Sequence, residues 1–166
     1  MNMQGNDLSL VGYYPGVLGK ITELHAVYYW NNWGFDISFE TQVAGELAQF
    51  LSEFQEGRDG FWVALVGEEF AGAIAIDGHI AGPDEARLRW FIVDSKLQGH
   101  GIGALLIQKA VEFVRLSGFR SLFLWTFKGL EAARKLYERE GFTLSEESTI
   151  HKWGSTILEQ KYELRM

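Results

Sequence analysis

A glycine-rich segment carries the clearest chemical signal in the sequence, Gln98-Gly99-His100-Gly101-Ile102-Gly103. It stands between a predicted strand and the start of a predicted helix, where backbone N–H groups lack partners and the helix dipole presents partial positive charge. Glycine permits positive φ and leaves no Cβ in the way of a ligand that approaches the backbone. The segment therefore predicts a turn that binds a phosphate or diphosphate group.

Other phosphate-binding turns fit this segment less well. Gly99, Gly101 and Ala104 satisfy a loose version of the dinucleotide-binding spacing. That fold requires an acidic residue at the end of the next strand, and the predicted strand Ser121–Phe127 contains none. A P-loop requires Lys and then Ser or Thr after its last glycine, whereas Gly103 precedes Ala104. On the glycines alone, a turn that only redirects the chain stays open.

Two spaced segments form a recognisable pair. The first is Val93-Asp94 followed by Gln98-x-x-Gly101-x-Gly103, and the second is Ala133–Phe142. The first resembles the acetyl-CoA signature of the GNAT superfamily, in which Gln or Arg is followed by two residues, Gly, one residue, and Gly or Ala. The second is similar to the family's Ala-x-x-Leu-Tyr-x-x-x-Gly-Phe segment. The resemblance covers nearly the entire chain, with one departure, because Leu130 stands where many relatives carry Asn.

The resemblance implies a binding site for acetyl-CoA. Its pantetheine arm would lie along the strand near Phe91–Val93, and its diphosphate would rest on Gln98–Gly103. Tyr137 occupies the family position of the general acid, and a phenol with a reference pKa of about 10 can protonate a leaving thiolate. A core contact on an amphipathic helix is the alternative interpretation of Tyr137. The residues implied for the cofactor are Phe91, Ile92, Val93, Gln98, Gly99, His100, Gly101, Ile102, Gly103, Ala104, Ala133 and Tyr137.

The sequence gives less evidence for the amine site than for the cofactor site. In similar proteins the first two helices border the amine site, so Glu23 or Glu40 could accept a proton directly or through water. Tyr29 and Trp33 belong to an aromatic cluster that could line a pocket for an aromatic or cationic substrate, although most of the cluster fits a hydrophobic core. No metal is expected, because the four histidines lack the paired spacing or cysteine partners of a zinc site.

Hydrophobic periodicity predicts the elements that must position these residues. Four helices are predicted, over Lys20–Trp33, from the Asp36 cap to before Gly57, from Ile102 to before Gly118, and over Leu130–Glu140. Strands are predicted at Phe61–Val66, Phe70–Ile76, Ala86–Val93 and Ser121–Phe127, and a final hairpin from Phe142–Lys152 and Ser155–Leu164. Two helices thus precede any strong strand. Leu88, Trp90 and Ile92 are expected on one face of the strand Ala86–Val93.

The order strand, turn, helix, strand predicts a crossover that sets Ala86–Val93 parallel to Ser121–Phe127. The fold class is therefore α/β with a mixed sheet, an antiparallel meander joined to a parallel crossover and flanked by about four helices, in one domain over residues 1–166. This order resembles the GNAT fold. The Lys20–Glu40 region and the Leu88–Val93 strand also resemble the acetyltransferase domain that some bacterial proteins carry behind a MarR-type winged helix.

Composition limits the partners. Hydrophobic residues make up 47% of the chain, which is typical of a folded domain. A net charge of −7 without a basic run disfavours nucleic acid. No apolar stretch is long enough to cross a bilayer, and the polar start Met1–Asp7 does not look like a signal peptide, so a cytoplasmic protein is expected. The absence of cysteine excludes disulfides and thiolate metal sites.

These observations predict an acetyl-CoA-dependent N-acetyltransferase that moves the acetyl group to a primary amine of a small molecule or peptide by direct attack. Two other interpretations stay open, a non-catalytic acyl-CoA sensor and a protein interaction domain that keeps only the fold. A homodimer is compatible with the resemblance. The sequence does not identify the amine.

Overall fold

A computed structural model describes residues 7–166 of the chain. In that range the elements follow in this order: β1 (Leu8–Val11), α1 (Val17–Trp33), α2 (Ile37–Ser52), β2 (Gly60–Val66), β3 (Glu69–Asp77), β4 (Glu85–Val93), α3 (Ile102–Leu116), β5 (Ser121–Phe127), α4 (Glu131–Glu140), β6 (Thr143–Lys152) and β7 (Ser155–Arg165). A short 3-10 turn, Ser95–Leu97, connects β4 to the loop before α3.

The strands form one mixed sheet in the order β1-β2-β3-β4-β5-β7-β6. The first four strands are antiparallel neighbours, β4 and β5 are parallel, and β7 pairs antiparallel with both β5 and β6. Helix α3 makes the crossover between the parallel strands. The predicted fold class, with its meander, crossover and final hairpin, is confirmed.

The sheet separates two hydrophobic clusters, because alternate side chains of a strand point to opposite faces. On one face, Leu106 of α3 and Tyr137 of α4 pack with Leu122 of β5. On the other face, Ile21 of α1 and Leu47 of α2 belong to the second cluster. Helices α3 and α4 therefore cover one side of the sheet, and α1 and α2 cover the other.

The helix ends follow the capping residues. The carboxylate of Asp36 accepts a hydrogen bond of 3.0 Å from the backbone N–H of Ser38, as expected of an N-cap. Gly34 and Gly141 end α1 and α4 in the left-handed conformation. Helix α1 begins at Val17, three residues before the predicted start at Lys20.

One short strand that was not predicted precedes the two helices. Residues Leu8–Val11 form β1, which pairs antiparallel with β2 from Leu8 opposite Val66 to Val11 opposite Val63. Four residues at a sheet edge are too few for a period-2 pattern to stand out, and the strand is defined by its partner rather than by its own sequence.

The prediction that Leu88, Trp90 and Ile92 share one face of β4 is wrong. Leu88 packs in the α3 cluster, whereas Trp90 and Ile92 pack on the α1 and α2 side. Between these positions β4 carries a β-bulge, since Ala73 is opposite Ile92 but Ala75 is opposite Arg89. One extra residue in a strand exchanges the faces of all residues beyond it.

Of the helices described, none is both long and apolar enough to cross a lipid bilayer. The expectation that Met1–Asp7 is not a signal segment falls outside the described residues, except for Asp7.

Candidate active site

A cavity of about 990 Å³ opens where the two parallel strands separate. β4 and β5 pair only from Glu85 opposite Ser121 to Arg87 opposite Phe123. Beyond these residues the strands diverge, and residues from all four helices line the space between them. The cavity therefore passes through the sheet and can admit one ligand from each side.

The bulge in β4 shapes the wall of this cavity. Trp90 has a φ of 49°, in the left-handed region that a bulky residue rarely adopts. Beyond the bulge, Phe91 and Val93 face the α3 side, and the backbone edge that faces β5 has no strand partner. Unpaired backbone N–H and C=O groups are strong hydrogen-bonding groups, so this edge offers donors and acceptors to a ligand lying along it.

The glycine turn opens α3 at one end of the cavity. Gly101 is its N-cap, with a φ of 81°, and no side chain caps the helix or places a negative charge in its first turn. The first backbone N–H groups, at Ile102 to Ala104, are therefore free for an anion. At Gly103 an added Cβ would lie 2.9 Å from Cδ1 of Leu136, so a larger residue there would require the Leu136 side chain to shift.

Tyr137 lies on the α4 wall of the cavity and is buried. Its ring is enclosed by Phe91, Phe142 and Tyr162, with centroid distances of 6.0, 5.9 and 6.2 Å. Burial raises the pKa of the Tyr137 phenol well above its ordinary value, and the nearby phenol of Tyr29 adds to the shift. The hydroxyl is therefore protonated throughout the physiological range and can act as a proton donor.

An aromatic and polar wall from α1 and α2 faces Tyr137 across the cavity. Tyr29 contributes to it and stacks on Phe35 at 5.4 Å. Burial also raises the pKa of Tyr29. His25 lines the same wall, and its Nδ1–H donates to the carbonyl of Ile21 at 2.8 Å. Because a carbonyl only accepts, this bond makes Nε2 the unprotonated nitrogen of the neutral ring, and burial keeps the ring neutral by lowering its pKa to about 4.

Charged side chains line the α1 and α2 side of the cavity. Arg89 forms ion pairs with Glu46 of α2 and with Asp77 of β3, the second at 3.2 Å. Arg87, two residues earlier on β4, and Glu159 of β7 also line the cavity. Neither of these two makes a side-chain hydrogen bond or ion pair with another of residues 7–166.

The structure brings most of the predicted site residues together. Every residue predicted for the cofactor lines the cavity except His100, which is exposed outside it. Of the residues predicted for the substrate, Tyr29 lines the cavity, whereas Glu23, Trp33 and Glu40 do not. The two glutamates are exposed on the outer faces of α1 and α2, because their helical phase differs from that of the buried positions.

Sequence reasoning missed the charged group formed by Glu46, Arg87, Arg89 and Glu159. One signal was present, since Arg87 and Arg89 alternate with buried residues in a central strand where charge is costly. Glu159 gives no such signal, because only the pairing of β7 with β5 brings it to the cavity. Among residues 7–166, no three His, Asp or Glu side chains are grouped so that they could hold a metal ion.

Comparison with known proteins identifies a family and relatives that this chain resembles. A family model described as the acetyltransferase (GNAT) family matches residues 24–142. An uncharacterized N-acetyltransferase of Methanocaldococcus jannaschii is 29% identical over 124 residues, covering 72% of this chain and 54% of that protein. The N-acetylaspartate synthetase of Xenopus tropicalis is 38% identical over 82 residues, covering 49% of this chain and 30% of that protein. The chain thus spans about half or less of the length of these relatives.

The fold is also that of solved acetyltransferase structures. The yncA protein of Salmonella typhimurium, described with its cofactor acetyl-CoA, superposes with a TM-score of 0.71 at 18% identity. The match covers 96% of this chain and 94% of that one.

Proposed function

The chain belongs to the acetyltransferase (GNAT) family, and from this premise we propose that it transfers the acetyl group of acetyl-CoA to a primary amine of a small molecule or peptide. The observation that carries the proposal is the cavity through the sheet. It joins an uncapped helix N-terminus, an unpaired strand edge and a buried phenol on one side to a polar, charged wall on the other. A donor and an acceptor can therefore meet inside it from opposite faces.

The residues present fit acetyl-CoA, which when bound supplies the thioester whose acetyl group is transferred. The N–H groups of Ile102 to Ala104, with Gln98 beside them, would hold the diphosphate. The surroundings of Gly99 and Gly101 are open, since a Cβ added at either would meet no atom within 4 Å. The free edge of β4 near Phe91–Val93 would hydrogen-bond the pantetheine amides and polarise the thioester carbonyl.

Tyr137 would protonate the departing thiolate. Its burial holds the proton on the phenol, so the donor form is fully populated at neutral pH. The same raised pKa makes the phenol a weaker acid than tyrosine in water, and a thiolate leaves readily without help. Tyr137 therefore assists the reaction without being essential to it.

Glu159 is the best-placed base among the carboxylates that line the cavity. Glu46 is held by Arg89, Glu131 by Arg134, and Asp94 accepts a hydrogen bond from the backbone N–H of Lys96. Glu159 has no such partner among the described residues and can accept a proton from an ammonium group, directly or through water. It replaces Glu23 and Glu40 in this role, because a base must reach the amine.

Release of free thiol from acetyl-CoA tests the activity. Purified protein is incubated with acetyl-CoA and a broad panel of amines, amino acids and peptides, and thiol formation is compared with and without each amine. Amine-dependent release is expected for at least one class. Binding of acetyl-CoA by calorimetry without thiol release for any amine would contradict the proposal and favour a sensor.

A further inference from the structure

Arg87 occupies the point where the cavity begins. It is the last residue of β4 that pairs with β5, opposite Phe123. Its neighbours Ala86 and Leu88 pack in the α3 cluster, so its side chain points to the α1 and α2 face, where the acceptor would enter. It lines the cavity together with Glu46 and Glu159.

The guanidinium of Arg87 is half-buried and lacks a partner. Its Nε is buried with no hydrogen-bond partner among residues 7–166. Arg89, on the same strand, shows the usual solution for such a position, since it pairs with Glu46 and Asp77 and lies 4.2 Å from the centre of the Trp90 ring. A buried donor without a hydrogen-bond partner is costly, so a position that keeps one is a candidate binding site.

Arg87 is charged at neutral pH all the same. Burial, together with the positive charge of Arg89, lowers its pKa, but only to about 10. A charged guanidinium presents a planar fork of N–H donors that matches the two oxygens of a carboxylate. An anion that enters through the cavity would supply the missing partner.

The surrounding charges select the kind of anion. Arg87 and Arg89 supply two positive charges, and Glu46, Asp77 and Glu159 supply three negative charges close enough to influence Arg87. Their sum is slightly negative, which disfavours a dianion such as a phosphate monoester. A zwitterion fits better, because its carboxylate can face Arg87 while its ammonium group faces the unpaired Glu159.

We propose that the acceptor is a free amino acid whose carboxylate binds Arg87 and whose amine is the group acetylated. This inference rests on the proposed acetyl transfer. The carboxylate anchors the molecule at the end of the cavity where β4 and β5 still pair. Its amine is then held toward the widening space in which the thioester would lie. An amine without a neighbouring carboxylate, including the N-terminus of a peptide, would lack this anchor.

Matched pairs of acceptors test the inference. Thiol release is measured with the free amino acids alanine, leucine and phenylalanine and with their decarboxylated counterparts ethylamine, isoamylamine and phenethylamine. The wild type is expected to prefer the better amino acid over its counterpart by roughly 10²-fold in kcat/KM, the worth of a charge-assisted pair. In R87Q this preference should disappear, while the KM for acetyl-CoA stays unchanged. R120Q, which alters an exposed arginine outside the cavity, should retain the preference.

A second readout does not depend on turnover. Binding of the amino acids is measured by calorimetry, with and without CoA, for wild type and R87Q, and thermal unfolding is followed for both. R87Q should lose amino acid binding yet unfold at or above the wild-type midpoint, since it no longer buries an unpaired charge.

The outcomes separate the two proposals. Arg87-dependent amino acid binding without any thiol release would leave the carboxylate site at Arg87 standing and remove the acetyl transfer, and with it the role of the amino acid as acceptor. Equal turnover of amines with and without the carboxylate would support the transfer and overturn the inference. The inference also fails if no amino acid binds, if R87Q weakens both members of each pair equally, or if an aminophosphonate binds better than its amino acid.

Discussion

At the scale of single residues, the surroundings of Tyr137 set how much catalysis its hydroxyl can contribute. Burial keeps the phenol protonated but also makes it a reluctant donor. We expect Tyr137→Phe to lower kcat by roughly 10- to 100-fold, at or below the lower limit of the roughly 10²- to 10⁴-fold that general acids contribute, with little change in the KM for acetyl-CoA. Steady-state thiol release measures the effect.

Tyr162→Phe is the matched control for this substitution. Tyr162 is buried in the same cluster, 6.2 Å from the Tyr137 ring, but does not line the cavity. It should leave kcat near the wild-type value. Equal losses in the two variants would mean that Tyr137 serves only packing.

Glu159 is the residue on which deprotonation of the amine depends in this account. Glu159→Gln should lower kcat/KM at neutral pH by roughly 10²-fold. The deficit should shrink as the pH rises, because more of the amine is then neutral in solution. A pH profile of thiol release measures both effects. Glu23→Gln and Glu40→Gln serve as controls outside the cavity. If the pH profile of Glu159→Gln is the same as theirs, Glu159 is not the general base.

His25 predicts a pH dependence of stability. Its pKa is lowered to about 4 in the folded state from an ordinary value of 6.5, so the unfolded state binds a proton first as the pH falls. Stability is therefore lost between pH 6.5 and pH 4, by about 3 kcal/mol from this group, and is fully present above that range.

Urea unfolding of wild type and His25→Gln across this range isolates the contribution. Glutamine keeps a side-chain donor, and its side chain does not titrate. The free energy of unfolding of the wild type relative to that of His25→Gln should fall by about 3 kcal/mol as the pH falls from 6.5 to 4. A difference that does not change with pH would show that the His25 ring does not carry a lowered pKa.

At the scale of elements, the two ends of α3 offer a controlled test of the anion site. Gly101 at the N-terminus and Gly118 beyond the C-terminus have φ values of 81° and 82°, and a Cβ at either would meet no atom within 4 Å. Alanine at each should therefore cost a similar amount of stability, about 1 kcal/mol, from the left-handed conformation alone.

Only Gly101→Ala should also weaken the binding of acetyl-CoA, because a strained N-cap shifts the free N–H groups that would hold the diphosphate. We expect its Kd to rise roughly 10-fold, with that of Gly118→Ala unchanged, by calorimetric titration. The same change in both variants, or in neither, would argue against diphosphate binding at this helix end.

Helical spacing, glycine boundaries and short apolar runs predicted the four helices and most of the strands. They could not locate the bulge, since the face exchange at Trp90 depends on how β4 pairs with β3 rather than on the residues of β4 alone. Edge strand β1 was not predicted for a similar reason, because its four residues form a strand only by pairing with β2.

At the scale of the whole molecule, the site is assembled from elements distant in sequence. The residues proposed to bind the cofactor could be named from the sequence because they sit in two local motifs, the α3 turn and the α4 segment around Tyr137. Those of the acceptor half could not, because Arg87 and Glu159 meet only through the strand order β4-β5-β7. Glu23 and Glu40 were chosen for their helices, yet a helix exposes most of its surface, and these two side chains face away from the cavity.

The proposed activity requires that a thioester and an amine meet in the cavity between β4 and β5. A crystal structure of the protein with bound CoA tests it most directly. We predict the diphosphate on the N–H groups that begin α3, the pantetheine arm along β4 beyond its bulge, and the thiol within hydrogen-bonding reach of the Tyr137 hydroxyl. A diphosphate bound elsewhere, or a thiol that lies outside the cavity, would contradict the account.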